Sequence, residues 1–486
     1  MRLEWFRSAT VGVYSRSGTS ILCDPWLTDG AFLGSWYHFP PLEGHEFNEV
    51  LRKPWDAVYV SHLHADHFDR KFLSALSREQ PNCKVIIPAF AHKWLRRAIT
   101  NCGFSDERLI EVHSGDSHAV KDITIKILTA DHCDPATCGV NVPCHREDTR
   151  LAALDSLALF QADGQTILNA NDSLAVASVS RVLPQIGPVD LLLGHYGGAG
   201  PFPQCFPDIE PEDKLTKARA LADVFLSRLA TAASVTKARF LMPYAGQYML
   251  GGRLADLNKF RSVVSLSEAV EILQRKTDAS VVAMAPFSEF DLDDGYVPQP
   301  WVEPTSSEVD DYIADISSHQ YPYEKSPGTW PEAEQDLYSA LENVAAEYLR
   351  RRAGGRDYEP HRLSIETSDI QGYAHFDGEE ATVVIGPLPP MVDRETRISC
   401  HHALLKGLIQ RSEGYEGFTP MHFNQAEIGS HFTWRRSGEY SDVVHCLNFM
   451  QATRKSSADK VGPAGATERI ESSPLLVLAR QDSKKS

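Results

Sequence analysis

Apolar positions over roughly the first 290 residues follow two periods that take turns. Residues 56–60, Asp-Ala-Val-Tyr-Val, make a short β-branched and aromatic run of the kind that forms a buried strand. Similar runs occupy 84–88, 123–130, 165–170, 189–193, 238–242 and 280–284. Between them, 70–78, 91–100, 212–234 and 268–276 carry helical spacing, and Leu215, Ala218, Leu221, Ala222, Phe225 and Leu229 set the stripe of the longest. Strands alternating with helices predict an α/β domain over residues 1–290.

The pattern then changes. Residues 291–304 are acidic and proline-containing, and 317–331 hold Pro322, Pro327, Gly328 and Pro331, as connecting segments do. Leu337, Leu341, Val344, Ala345 and Leu349 predict an amphipathic helix over 330–352. Strand-like alternation follows at 362–366, 372–376 and 381–385, with a short helix at 403–410. Together these predict a smaller α+β domain over 305–455. Residues 456–486, rich in Ser, Lys, Ala and Gly, are expected to be a disordered tail apart from the apolar stretch 475–479. No internal repeat is evident.

Against this organisation the chemistry stands out at His62-Leu-His64-Ala-Asp66-His67, directly after the strand at 56–60. Imidazole and carboxylate hold zinc, iron or manganese, and few other reasons exist to pack them so densely. On a strand end His62 and His64 share a side, because side chains alternate with period two. A turn into a helix then brings Asp66 and His67 beside them, which suits two metals.

The motif resembles the HxHxDH signature of the metallo-β-lactamase superfamily. The runs 2–6, 10–14 and 19–27, the last ending Asp24-Pro-Trp-Leu27, are similar to that family's opening strands. The resemblance implies an αββα sandwich with metals at one edge. It also implies His132, after the strand 123–130, as third ligand of the first metal and Asp172 as the bridging carboxylate. Asp66 and His67 would hold the second metal. Cys23-Asp-Pro-Trp-Leu27, Asn171-Asp172 and Gly194-His-Tyr-Gly-Gly-Ala-Gly-Pro-Phe-Pro203 are similar to the branch of the CMP-N-acetylneuraminate hydroxylases and ascorbate-6-phosphate lactonases. The C-terminal domain is similar to sterol-carrier-like modules attached to some members.

Two departures matter. No Cys-x-His pair with a matching downstream pair precedes the motif, so the Rieske segment of the hydroxylases is missing. An oxygenase of this kind is expected to take electrons from a separate protein. The family also supplies a late histidine near residues 239–246, yet none occurs between His195 and His319. Either His195 completes the second site, or an oxygen ligand substitutes, or a single metal binds. Tyr196, the Gly197–Gly200 turn, Gln204, Tyr244, Gln247 and Tyr248 are expected near the pocket.

Composition narrows the setting. The 42% hydrophobic and 23% charged content is that of a soluble globular protein. A net charge of −17 argues against nucleic acid or an anionic membrane as partner. No secretory leader or apolar run of membrane-spanning length is visible. Nine scattered cysteines suggest thiols in a reducing cytoplasm. Cys133, Cys138, Cys144 and His145 lack the usual knuckle spacing and read as loop residues, not as a zinc site. His401, His402, His422, His431 and His445 read as ordinary packed or surface histidines.

The resulting expectation is a metal-dependent hydrolase of a small ester, lactone, amide or phosphoester, with two divalent metals, zinc first and iron or manganese as substitutes. Asp66 and Asp172 are the catalytic carboxylates, and the ligands are His62, His64, Asp66, His67, His132, Asp172 and His195. The alternatives are a di-iron oxygenase on the same fold and an inactive binding protein. Homo-oligomerisation is left open.

Overall fold

The computed structural model describes residues 1–90, 93–129, 155–173, 176–325, 329, 334, 337, 362–370, 372–377, 382–385, 389–410, 423–437 and 477–480. Contacts divide the chain into two compact units, Met1–Pro203 with Pro211–His319, and Gln204–Glu210 with Gln320–Ser486. His132, the Cys133–His145 group, His422, His445 and all of the helix expected at 330–352 except Glu334 and Leu337 lie outside the described residues.

The first unit contains β1 (Arg2–Arg7), β2 (Thr10–Tyr14), β3 (Ser20–Cys23), β4 (Trp36–His38), β5 (Ala57–Tyr59), β6 (Lys84–Pro88), β7 (Leu109–Val112) and β8 (Ser117–Val120). It continues with β9 (Ile123–Thr129), β10 (Ser156–Ala162), β11 (Gln165–Asn169), β12 (Leu191–His195), β13 (Phe240–Tyr244), β14 (Tyr248–Leu250), β15 (Ser280–Val281) and β16 (Ser288–Asp291). One sheet runs β16-β1-β2-β3-β5-β6-β7, the other β15-β13-β12-β11-β10-β9-β8, and β4 pairs with β14. Both are mixed. Pairing is antiparallel from β16 to β3 and parallel from β3 to β7. The second sheet is antiparallel from β8 to β11 and parallel from β11 to β15.

The alternation of side chains builds the layers. Ala57 and Tyr59 of β5 share a core with Ile123, Ile125 and Ile127 of β9 and with Leu191 and Leu193 of β12. Val58 and Val60 turn the other way, onto Phe72, Leu73 and Leu76 of helix Arg70–Glu79 and Leu95 and Ile99 of helix Trp94–Asn101. Leu192 and Leu241 turn outward onto Leu226 and Leu229 of helix Pro211–Thr236 and Leu273 of helix Leu266–Lys276. Burial of each such side chain contributes about 1.5–3 kcal/mol, so strands apolar on both faces need both helical layers. The result is the expected αββα sandwich.

Two local differences have physical causes. The buried face of helix Pro211–Thr236 runs through Ala218, Ala222, Leu226, Leu229 and Ala233, whereas Leu215, expected in the stripe, is 51% exposed ahead of the point where that face becomes buried. Helix Ser306–Ser317 forms where no helix is expected. Thr305 and Glu308 close it with a reciprocal capping box, and its buried Ile316 belongs to the first unit.

The second unit is α+β. Its strands β17 (Arg362–Thr367), β18 (Tyr373–Asp377), β19 (Thr382–Ile385), β20 (Glu395–Cys400), β21 (Thr433–Arg436) and β22 (Val477–Arg480) form one sheet in the order β21-β20-β17-β18-β19-β22. β22 covers most of the apolar stretch singled out in the expected tail, and the other residues of 456–486 lie outside the described set. Leu404, Leu405 and Leu408 of helix His402–Gln410 are buried, as are Leu363 and Ile365 of β17. Among the described residues no helix is long and apolar enough to cross a membrane.

Phe160 is fully buried between the two sheets, edge-on to Tyr59. Phe160→Ala should destabilise the first unit by about 3–5 kcal/mol, read as a lower urea midpoint at an unchanged m-value.

Candidate metal centre

Four chain segments reach one edge of the sandwich, each at the carboxyl end of a strand. Asp24 follows β3, Ser61 and the motif follow β5, Asp172 follows β11, and His195 ends β12. β3 is parallel to β5 and β11 to β12, so the parallel halves deliver these ends side by side. After β5 the chain turns at once. The amides of His67 and Phe68 both donate to the His64 carbonyl, at 3.0 and 2.9 Å, which swings Asp66 and His67 back toward His62.

The imidazoles are aimed from behind. Ser61 Oγ lies 2.9 Å from His62 Nδ1, leaving Nε2 to face His64 Nδ1 at 2.9 Å and Asp172 Oδ2 at 3.7 Å. His67 Nδ1 lies 3.1 Å from Asp24 Oδ2, and its Nε2 faces Asp172 Oδ1 at 3.1 Å and Asp66 Oδ2 at 3.6 Å. His195 Nδ1 donates to the Asn171 carbonyl at 3.1 Å. In His62, His67 and His195 an oxygen therefore occupies Nδ1 and leaves Nε2 as the ligand atom. Histidines that hold metals are anchored in this way.

The metal fit also shows in what is left over. Ligand atoms of His62, His67 and Asp172 all lie within 4.8 Å of one another. The buried Asp66 Oδ1 has no hydrogen-bond partner among the described residues, a costly state for a carboxylate unless a cation meets it. Burial pushes the Asp66 carboxyl up to about 7. Burial also opposes ionisation of Asp172, but His67, by charge and hydrogen bond, with His62 and His195 nearby, holds it well below the usual carboxylate range. Burial disfavours charge on His67, yet Asp172 and Asp66 hold its pKa well above the ordinary value. Burial lowers that of His195, which keeps its ring neutral and fit to donate a lone pair. Without a cation, protons on His67 and Asp66 offset the clustered carboxylates.

The structure thus brings together His62, His64, Asp66, His67 and Asp172. His195 adjoins them through Asn171, and His132 lies outside the described residues. The sequence offered Asp24 and Asn171 only as parts of family-like runs, without a role, and it did not single out Asp155 or give Ser61 a part. Asp24 Oδ1 accepts from the Ser61 amide at 2.7 Å, and its Oδ2 accepts from the Ser61 hydroxyl at 2.8 Å. Asp155 Oδ1 lies 3.5 Å from His62 Nδ1, and burial followed by the Asp172 charge drives its pKa well up. Placement adds a signal, since Asp24 follows β3 as Asp172 follows β11.

Several expected pocket residues have partners of their own. Tyr244 is paired with His195 in register, but its hydroxyl turns into the intersheet core and donates to Asn169 and, at 3.0 Å, to Asn171. A Cβ at Gly197 would lie 2.7 Å from Val263, and one at Gly198 2.5 Å from Phe225, so these glycines serve packing rather than a phosphate cradle. Gln204 groups with the second unit, where its Nε2 donates to Ser430 Oγ at 3.3 Å.

A second group of possible ligands, Asp369, His401 and His402, contradicts the ordinary-histidine reading only in part. His401 Nε2 lies 3.1 Å from Asp369 Oδ2, and His402 Nδ1 contacts the same oxygen. However, the amides of His402 and Ala403 donate to Asp369 Oδ1 at 2.9 Å and to His401 Nδ1 at 3.2 Å. The Ala403 bond leaves the His401 proton on Nε2, where a metal would need a lone pair. Capping of helix His402–Gln410 explains the group better.

A beta-lactamase superfamily domain profile matches residues 19–202. The chain has the metallo-β-lactamase fold. Its curated relatives include a putative Rieske 2Fe-2S iron-sulfur protein of Mycobacterium tuberculosis, 29% identical over 194 residues, or 38% of this chain and 33% of that protein. A counterpart in Mycolicibacterium smegmatis is 30% identical over 206 residues, covering 40% and 34%. The cytidine monophosphate-N-acetylneuraminic acid hydroxylase of Danio rerio is 33% identical over 69 residues, covering 14% and 11%. The matched part of this metallo-β-lactamase-fold chain thus spans about a third or less of each relative's length. Among solved structures, CmlA, a diiron β-hydroxylase from Streptomyces venezuelae, is 16% identical with TM-score 0.34 over 58% of this chain and 52% of that one. A metallo hydrolase from Ignicoccus hospitalis is 16% identical with TM-score 0.37, over 60% and 98%.

Asp24→Asn should weaken metal binding by about 10–100-fold, because it loosens the His67 ring; competition with a chromophoric chelator reads this directly. Metal must also displace protons from His67 and Asp66. Affinity should therefore rise with pH through about 7, the Asp66 value. Calorimetry in buffers of different ionisation enthalpy should record net proton release on metal loading.

Proposed function

We propose that this protein is a two-metal oxygenase that hydroxylates a small molecule, with iron in the centre and electrons supplied by a separate iron–sulfur protein. The observation that carries this reading is the kinship in sequence with both Rieske proteins and CMP-N-acetylneuraminic acid hydroxylases. The donor set supports it, since imidazole nitrogens and carboxylate oxygens suit iron and no thiolate stands among the described ligands. The hydrolase expectation would use the same residues with zinc.

In this reading His62, His64 and His132 would hold one metal and Asp66, His67 and His195 the other, with the Asp172 carboxylate, 3.7 Å from His62 Nε2 and 3.1 Å from His67 Nε2, beside both sets. Iron bound there would supply the one-electron chemistry that lets dioxygen react. The overall change balances as R–H + O2 + 2 e− + 2 H+ giving R–OH + H2O, with the iron–sulfur partner as reductant. The protein's own part is orientation and proton handling. Asp24 and Ser61 fix the His67 and His62 rings, and the Asn171 carbonyl fixes His195. The Asp66 carboxyl, pushed up to about 7 by burial, gives up its proton as metal enters.

Protein purified from iron-supplemented cells should contain iron in near-stoichiometric amounts and consume dioxygen when given a reductant and a substrate. Stoichiometric zinc, together with turnover of an ester, lactone or phosphodiester and no oxygen uptake, would return the assignment to the hydrolase. His64→Ala and Asp172→Ala should each lose metal and activity while remaining folded. His195→Ala should retain only one of the two metals; full retention of both would remove His195 from the ligand set.

A further inference from the structure

No histidine occurs between His195 and His319, although a late one is expected near residues 239–246. Tyr244 stands in that stretch, at the end of β13 and in register with His195 of β12. It does not take the histidine's place as a ligand. Its ring packs in the intersheet core, and its hydroxyl donates to the side-chain oxygens of Asn169 and Asn171. Burial, then the charges of Asp24 and Asp172, push that hydroxyl well above the usual phenol range, so it stays a donor.

Asn169 and Asn171, both fully buried, bracket the turn that carries the chain from β11 to Asp172. The Asn171 amide donates to Asn169 Oδ1 at 3.3 Å, a link from a side chain to the backbone two residues on. The Ser173 amide donates to the Ala170 carbonyl at 3.0 Å, which closes the turn around Asp172. The Asn171 carboxamide is held at both ends. Its Nδ2 donates to the Ser156 carbonyl at 2.8 Å, and its Oδ1 accepts from Tyr244 at 3.0 Å. A phenol carries one hydrogen. Asn169 Oδ1 also meets the Asn171 amide, whereas Asn171 Oδ1 has no other donor among the described residues.

The backbone of Asn171 sits at φ 50°, which a residue other than glycine keeps only under constraint. That backbone sets the direction of its carbonyl, which accepts from His195 Nδ1 at 3.1 Å. Asp172 follows at once, 3.1 Å from His67 Nε2 and 3.7 Å from His62 Nε2. A shift at Asn171 therefore moves the His195 ring and the Asp172 carboxylate together. Without the phenol its buried Oδ1 has no partner, a costly state that a turn of the residue relieves.

We infer that Tyr244 is a positioning residue of the metal centre: its hydroxyl fixes Asn171 and, through Asn171, aims His195 and Asp172. A hydrogen bond behind the site thus stands where a late ligand was expected. The inference rests on His195 and Asp172 as ligands, not on which reaction follows.

Cobalt(II) titration of the metal-free full chain, read by visible absorption and by competition with a chromophoric chelator, tests this. The parent should take up two metals per chain. Tyr244→Phe keeps the ring and removes only the hydroxyl. It should weaken the second metal by about 10–100-fold, while the first, held by His62 and His64, binds nearly as before. A general loss of stability would not separate the two metals in this way. Asn171→Gly removes the carboxamide and leaves the left-handed backbone accessible, and should cause a similar loss. The double variant should bind no more weakly than Asn171→Gly alone, because the hydroxyl acts through that carboxamide. Parent affinity in folded Tyr244→Phe, equal weakening of both metals, or additive losses in the double variant overturns the inference. So does parent affinity in Asn171→Gly, whether or not Tyr244→Phe folds. His195→Ala, titrated alongside, separates the two readings. Two metals retained there remove His195 as a ligand and with it the route from Tyr244. One metal lost there, beside an indifferent Tyr244→Phe, removes only the positioning role.

Discussion

The Asp24 carboxylate is the contact on which the centre depends. It follows β3, a strand that pairs directly with the one leading into the motif, and it accepts from both the amide and the hydroxyl of Ser61. The same carboxylate faces His67 Nδ1, so one buried group sets the start of the motif and the ring at its end. Its own backbone is held at φ 42°, a left-handed conformation that a residue other than glycine adopts only when its surroundings impose it. The parallel strands provide that imposition. Asn171, at φ 50°, plays the matching part at the end of β11, with its side chain held by Tyr244 and Ser156 and its carbonyl anchoring His195.

Charge explains why this arrangement suits cations. Asp24, Asp66 and Asp155 are buried and Asp172 adjoins them, so the site carries more negative charge than its histidines offset unless protons or metal ions enter. Asp66 near 7 and a raised His67 pKa are two expressions of the same imbalance. The group at Asp369, His401 and His402 has similar residue types but a different logic. There the polar atoms meet backbone amides at the start of a helix, and capping satisfies them without an ion. Ligand chemistry is thus decided by what stands behind each ring, not by the count of histidines.

How far the centre could be foreseen varies by residue. His62, His64, Asp66 and His67 were legible because they are adjacent in the chain, where strand and turn geometry act over a few residues. Asp172 was legible by resemblance and by its place after a strand. Asp155 was not, since it resembles any other polar residue until β10 faces β5 across the core, and Asn171 stood only as the neighbour of Asp172 in a family-like pair. Tyr244 was named from its place at the end of β13, while its contacts with Asn169 and Asn171 came only with the sheet. The direction in which a side chain leaves the end of a strand depends on its neighbours in the sheet, which lie far away in sequence.

Taken alone, the sequence determined the alternation of strands and helices, the αββα sandwich through the motif's resemblance, and the metal-binding character of the segment after β5. These are carried by short periods and by residues that act as neighbours in the chain. Only the tertiary structure decided that Asp24 locks the motif, that His195 is anchored by Asn171, and that the Tyr244 hydroxyl turns into the intersheet core onto Asn169 and Asn171. Each of those depends on packing between segments tens of residues apart, and on which polar atoms that packing leaves paired or unpaired once water is excluded.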